Sequence, residues 1–308
     1  MEYKHIPVLL NETIQGLAIK EDGIYVDATL GRGGHSSVIL SSIKEGHLYC
    51  FDQDEQAIKE SRQRLENISD KFTLISSNFE FMKDRLHELG VDKVDGILFD
   101  LGVSSAQFDE SDRGFSYRFD AKLDMRMNQN NSLSAYQIVN EYSLNDLTRI
   151  LRDYGEEKFA YQIARAIVQK RQVSPIETTF QLVDVIKSVL PCKVLNKVGH
   201  PAKQTFQAIR IEVNNELGVL VSALKQATDL LKPGGRCAVI TFNSLEDRIV
   251  KNYFRSLTSE ENTSRKLPQI KQNIEFELVN RKVIIATEEE VERNNRAKPA
   301  KLRIIERK

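Results

Sequence analysis

Three carboxylates in this chain stand at the same place in a repeated pattern: an apolar run, an acid, then a turn. Ile24-Tyr25-Val26-Asp27 runs into Ala28-Thr29-Leu30-Gly31-Arg32-Gly33-Gly34-His35-Ser36. His47-Leu48-Tyr49-Cys50-Phe51-Asp52 runs into Gln53-Asp54, and Val94 to Asp100 runs into Leu101-Gly102-Val103-Ser104-Ser105. A buried strand that ends this way offers backbone N–H groups and a carboxylate to a nucleotide-like ligand. Gly31 and Gly33 permit a tight turn and close approach of a ligand to the main chain. Asp52, about 20 residues beyond the turn, can accept two hydrogen bonds from ribose hydroxyls. Each acid alone is equally a helix cap or turn former, as Asp54 is expected to be for a helix from Glu55. The glycine turn reads G-x-G-x-x-S and lacks the third glycine of the dinucleotide fingerprint. It is the recurrence that points to a cofactor crevice at the carboxyl ends of a sheet.

The elements that position these acids read as a doubly wound α/β domain. Phe72 to Ile75 supplies a third strand, with Asn78-Phe79 at its end. After Asp100 the alternation stops. Asn145 to Tyr154, Glu156 to Arg171 and Thr179 to Leu190 carry apolar residues at helical spacing. Val213 to Lys232 reads as one amphipathic helix ending at Pro233-Gly234-Gly235. Strands are expected over Gly235–Phe242, Asn273–Val279 and Lys301–Glu306. The simplest assembly is a parallel sheet built from residues 1–105 and 209–308. A helical domain, residues 106–208, is inserted in it, since a structureless loop of that length is improbable. An acid just ahead of the glycine turn suits a cofactor bearing an amino group. A dehydrogenase would usually carry G-x-G-x-x-G and a second catalytic domain.

Composition narrows the class. The chain has 308 residues, with 44 basic and 44 acidic side chains, so net charge announces no nucleic-acid partner and local patches would have to serve one. The basic C-terminal run (Arg293, Arg296, Lys298, Lys301, Arg303, Arg307, Lys308) and Lys193, Lys197, His200 and Lys203 are the candidates. No apolar run approaches the roughly 20 residues of a membrane span, no signal-peptide pattern begins the chain, and cytoplasm is the expected location. Cys50 and Cys237 lie in apolar runs as buried thiols, and no Cys/His spacing suggests a metal site.

The most distinctive words lie outside the glycine turn. They are Asp100 to Ser105, Arg113-Gly-Phe-Ser-Tyr117, Leu123-Asp-Met-Arg-Met127, Tyr154-Gly-Glu-Glu-Lys-Phe159 and Gly199-His-Pro-Ala202. Phe206 to Asn214, Ser244-Leu-Glu-Asp-Arg248 and Ala300-Lys-Leu-Arg303 complete the set. In this order, over essentially the whole chain, they resemble the bacterial ribosomal RNA small subunit methyltransferase H (MraW) family. The resemblance implies a Rossmann-like class I S-adenosylmethionine-dependent methyltransferase sheet with an inserted helical domain. It also implies methylation of N4 of a cytidine in the decoding region of 16S rRNA, within the small ribosomal subunit. Carried over residue by residue, it implies that Gly33, Gly34, His35, Asp52, Phe79, Asp100 and Gln107 bind the cofactor, with no metal. Three positions depart from the family pattern: Ala106 where Pro is common, Asn243 where His is common, and Asn295 to Ala300 where serine and arginine are usual.

The exocyclic amine of cytosine is a poor nucleophile, because its lone pair is delocalised into the ring. The site must align it with the methyl group and accept its proton. Asp100 is the expected acceptor, with Ser104 or Ser105 supporting or simply stabilising the turn. An unpaired base expects an aromatic partner, and Phe115, Tyr117 and Phe119 are candidates. Arg113, Arg118, Arg126 and Arg210 are candidates for phosphate or for acid pairing, with Arg126 expected in an ion pair. Two alternatives stay open: a non-catalytic RNA-binding homologue, for which Asn243 would speak, and a methyltransferase of another substrate. The sequence leaves oligomeric state open, a homodimer included.

Overall fold

The computed structural model describes residues 7–102, 111–259 and 274–308. The chain forms two units, one of residues up to Gly102 and from Leu217 onward, the other Val103–Glu216.

The first unit is built on strands β1 (Ile24–Asp27), β2 (His47–Asp52), β3 (Phe72–Ser76), β4 (Val94–Asp100), β5 (Leu231–Thr241), β6 (Phe276–Leu278), β7 (Ile284–Ile285) and β8 (Lys301–Arg307). They hydrogen-bond in the order β3-β2-β1-β4-β5-β8-β6, with β7 also on β8. The first five run parallel to one another, whereas β8 runs antiparallel to β5, and β6 and β7 run antiparallel to β8. The all-parallel expectation is thus corrected at this edge. Side-chain alternation sets which face a residue buries and carries no information on strand direction.

The alternation builds a core on each face. Ile97, Phe99 and Val239 pack on one side with Leu220, Leu224, Val250 and Phe254. Leu98, Ala238 and Ile240 pack on the other with Leu17, Ile39, Leu40 and Ile304. Cys50 and Cys237 are buried free thiols pushed up by burial. Strand order reverses its direction of growth between β1 and β4, and a ligand crevice lies outside the carboxyl ends at such a switch point. Asp27 and Asp100 end these two strands.

The second unit packs its own core around Ile138, Leu147, Ile150, Ile163, Ile167, Leu182, Ile186, Phe206 and Ile209. Its helices run Ala135–Glu141, Leu144–Asp153, Ala160–Val173, Thr179–Val189, Cys192–Leu195 and Lys203–Asn214. Ser134 with Gln137 and Thr178 with Gln181 form capping boxes, which is why two of these helices start where they do. The helix expected from Glu156 starts later, at Ala160. Glu156 takes φ 51°, and a Cβ at Gly155 would meet the Leu151 carbonyl oxygen at 2.6 Å, so the chain turns sharply there.

The single helix expected over Val213–Lys232 is two, Lys203–Asn214 and Glu216–Leu230. Asn215 breaks it in the left-handed region, φ 47°, a conformation asparagine tolerates at a helix end. Arg210 clamps Glu216 across the break with two bonds of 2.8 Å. The second domain crossing, expected between 208 and 209, follows Glu216, because the helix carrying Phe206, Ile209 and Val213 belongs to the insertion's core.

Candidate active site

The glycine turn is fixed to the strands beneath it. Ala28 N–H donates to the Leu98 carbonyl and Leu30 N–H to that of Phe51, both at 2.9 Å. Gly31 and Gly33 take φ 50° and 71°, where a side chain would be strained. A Cβ on Gly34 would meet Pro7 Cγ at 2.5 Å. Helix Gly34–Ser42 follows at once.

Asp27 is buried and braces this turn. Its carboxylate accepts from Ser36 Oγ at 2.6 Å and from Thr29 N–H at 3.0 Å, and burial pushes it above the usual range. These bonds fix the carboxylate to the turn and to the helix that follows it. Asp52 accepts from the N–H groups of Gly31 and Asp54, both at 2.9 Å. Burial raises it to about 6, against those two bonds. Each of its oxygens has a second lone pair, so a diol can still be held. Asp54 caps helix Glu55–Glu66 by accepting from Gln56 N–H. Phe79, half-buried, meets Phe99 edge-on at 5.6 Å between ring centroids.

Asp100 is the least satisfied of the three acids. Its N–H donates to Thr29 Oγ1 at 2.6 Å. Its Oδ2 lies 3.5 Å from His35 Nδ1, and its Oδ1 is buried with no hydrogen-bond partner among the described residues. Burial, then the negative Asp27 and Glu246, raise it to about 8. A buried carboxylate oxygen without a donor is costly, which sets Asp100 apart from Asp27 and Asp52.

The structure therefore brings Gly33, Gly34, His35, Asp52, Phe79 and Asp100 to one edge of the sheet. Ser104, Ser105, Ala106 and Gln107 lie outside the described residues. Sequence reasoning passed over Thr29 and Glu246. Thr29 ties the ends of β1 and β4. Glu246 sits in a capping box with Asn243, a spacing legible as Asn-x-x-Glu.

That box accounts for Asn243. Its Oδ1 accepts from the N–H groups of Leu245 and Glu246 at 3.0 and 2.9 Å, while Glu246 Oε2 accepts from Phe242 and Asn243 N–H. Asparagine is a strong cap where histidine is not. Asn243→His is expected to lower stability by about 1 kcal/mol and to leave methyl transfer within about two-fold, read by urea unfolding and initial rates. A gain of ten-fold or more would give position 243 a catalytic role.

The basic candidates sort clearly. Asp247 pairs with Lys301 at 3.0 Å and Arg303 at 2.8 Å, joining two of the distinctive words, and Arg307 pairs with Glu275. Much of the C-terminal run is thus taken up in strand β8. Arg126 donates to Asp124 from Nε and Nη2, at 2.9 and 2.7 Å; Arg210 is held by Glu216; Arg113 donates to the carbonyls of Arg126 and Met127. Arg118, Lys193, Lys197 and Lys203 are exposed. Among the aromatics Phe115 is core, Tyr117 stacks on His200 at 4.2 Å, and Phe119 is 45% exposed. No cluster of three or more metal-ligating side chains occurs among the described residues. No helix there is long and apolar enough to cross a membrane.

The doubly wound sheet with an antiparallel last strand, a glycine turn, and Asp27 and Asp100 at its switch point is a Rossmann-like α/β fold. The chain belongs to the MraW methylase family, whose model matches residues 2–308. It is 55% identical over 307 residues to the ribosomal RNA small subunit methyltransferase H of Exiguobacterium sibiricum, covering 99% of this chain and 98% of that one. The proteins of the same name from Limosilactobacillus fermentum and Oenococcus oeni are each 54% identical over 310 residues, covering 99% of both chains.

Proposed function

We propose that this protein methylates N4 of a cytidine in the decoding region of 16S rRNA, with S-adenosylmethionine as methyl donor and the small ribosomal subunit as its setting. The observation that carries the reading is the buried Oδ1 of Asp100, without a hydrogen-bond partner among the described residues, at the switch point of a methylase sheet. The donor fits the residues present: the Gly33-Gly34 turn brings backbone close, Asp52 keeps lone pairs for a diol, and Phe79 offers an aromatic ring. When bound, it supplies an already activated methyl group.

The chain's own part is orientation and proton handling. Asp100 Oδ1 accepts a hydrogen bond from the N4 amine, drawing its lone pair out of conjugation as the N–C bond forms. The N–H bond then breaks toward the carboxylate. Ser104 or Ser105 supports Asp100 from the loop that follows it, and Gln107 is a cofactor contact by the family pattern alone.

For RNA, residues 185–211 contain Lys187, Lys193, Lys197, Lys203 and Arg210 and no acid. His200 is lowered by burial and by Lys187 and Arg118, so it stays neutral beside Tyr117. Replacing Lys193, Lys197 and Lys203 together by alanine is expected to weaken rRNA binding at all sequences. Each lost phosphate contact flattens the log–log salt slope by about 0.7–0.9, so the slope should become shallower by about 2. An unchanged slope would remove this run from the interface. Nucleoside analysis of the transferred label tests the chemistry: N4-methylcytidine supports it, and a C5- or ribose-methylated product refutes it.

A further inference from the structure

One buried histidine lies among the acids of the site, with both ring nitrogens engaged. His35 is 4% exposed. Its Nε2 lies 3.1 Å from the carbonyl oxygen of Val8. A carbonyl only accepts, so Nε2 carries a hydrogen. In the neutral ring Nδ1 then holds a lone pair, and it is Nδ1 that faces Asp100 Oδ2, at 3.5 Å. A lone pair and a carboxylate repel each other at that separation, and burial leaves little water to screen them. One proton resolves the conflict. On oxygen it gives a neutral acid pointing at Nδ1; on Nδ1 it gives an imidazolium beside a carboxylate.

We propose that Asp100 and His35 hold a single proton between them at neutral pH, which makes His35 a positioning residue for Asp100. Among the described residues the other charged groups that face Asp100 are Asp27, at the end of β1, and Glu246, on helix Ser244–Thr258. Both are acidic, and both favour retention of that proton. The side chain of Asp100 is 23% exposed, so the pair can exchange protons with solvent.

Resting on the function proposed above, the pair has a defined role. With the shared proton on the Nδ1 side, Oδ1 is the anionic oxygen. During transfer the amine N–H bond breaks and an O–H bond forms at Oδ1, while the shared proton stays with the ring. The acid formed then returns one proton to solvent, restoring the pair. His35 thereby keeps the accepting oxygen ionised in surroundings that would otherwise protonate it.

The test uses the full-length protein without methyl donor or RNA, so it stands or falls separately from the proposed reaction. Imidazole ¹⁵N and carboxyl ¹³C signals are followed by NMR from about pH 5 to 9. The expected result is a common midpoint for His35 Nδ1 and Asp100 Cγ, as coupled sites share their titration. In Asp100→Asn the His35 midpoint should move down by more than about one unit, since the buried ring cation loses its partner. Separate midpoints in the wild type, or superimposable His35 curves in wild type and variant, would overturn the pairing.

Discussion

Asp100→Asn is expected to lose methyl transfer and gain stability. The amide keeps the shape of the side chain but cannot take the proton of the amine, so the rate should fall by about 10²–10⁴-fold. The stability change follows from linkage. Asp100 is raised to about 8 in the fold, against about 3.9 in an unfolded chain. A carboxyl raised in this way contributes its full stability below the unfolded value, and the contribution is lost as pH rises through the folded one. The wild type therefore loses stability between about pH 4 and 8 at this residue, and the variant does not. At pH 8 the variant should be more stable by on the order of 1–3 kcal/mol, measured by urea unfolding at pH 5 and pH 8. Loss of activity with loss of stability at both pH values would make Asp100 a structural residue.

Asp52→Ala has the second largest expected effect, on binding. The carboxylate accepts from two backbone N–H groups at 2.9 Å and is the acceptor proposed for the ribose diol. Hydrogen bonds to a charged group contribute about 1.5–3 kcal/mol each. Losing those to the ligand should raise the Kd of S-adenosylhomocysteine by about 10²-fold or more, as about 1.4 kcal/mol is tenfold. Gly31 and Asp54 N–H lose their acceptor too, so the turn should loosen and the protein should unfold at lower urea. Calorimetric titration reads the first effect. A Kd within three-fold of wild type would take the ribose away from Asp52.

These acids were legible because a buried strand and the acid that ends it are neighbours in sequence. Asp27, Asp52 and Asp100 each announce a strand end, and parallel pairing then brings the ends to one edge. What each acid does there was less legible. Asp27 is held by Ser36 and Thr29, which reach it from the next turn and helix, whereas Oδ1 of Asp100 meets no donor among the described residues. Both outcomes depend on side-chain directions that spacing does not encode. The same holds for charge. Lys301 and Arg303 read as a free basic end until Asp247, on a helix far back in the chain, is folded against them. Arg126 was readable as an ion pair, since its acid, Asp124, is two residues away. The insertion's helices were legible from their apolar spacing, but the break at Asn215 was not. Apolar residues continue in phase on both sides of it, and only the left-handed backbone and the Arg210–Glu216 clamp show that one helix ends there.

The most direct test of the proposed activity is methyl transfer from labelled S-adenosylmethionine to small ribosomal subunits from cells lacking this activity, wild type and Asp100→Asn side by side. The expected result is N4-methylcytidine in the decoding region of 16S rRNA with the wild type and background label with the variant. Cofactor binding by the wild type without transfer to subunits or to naked rRNA would contradict it.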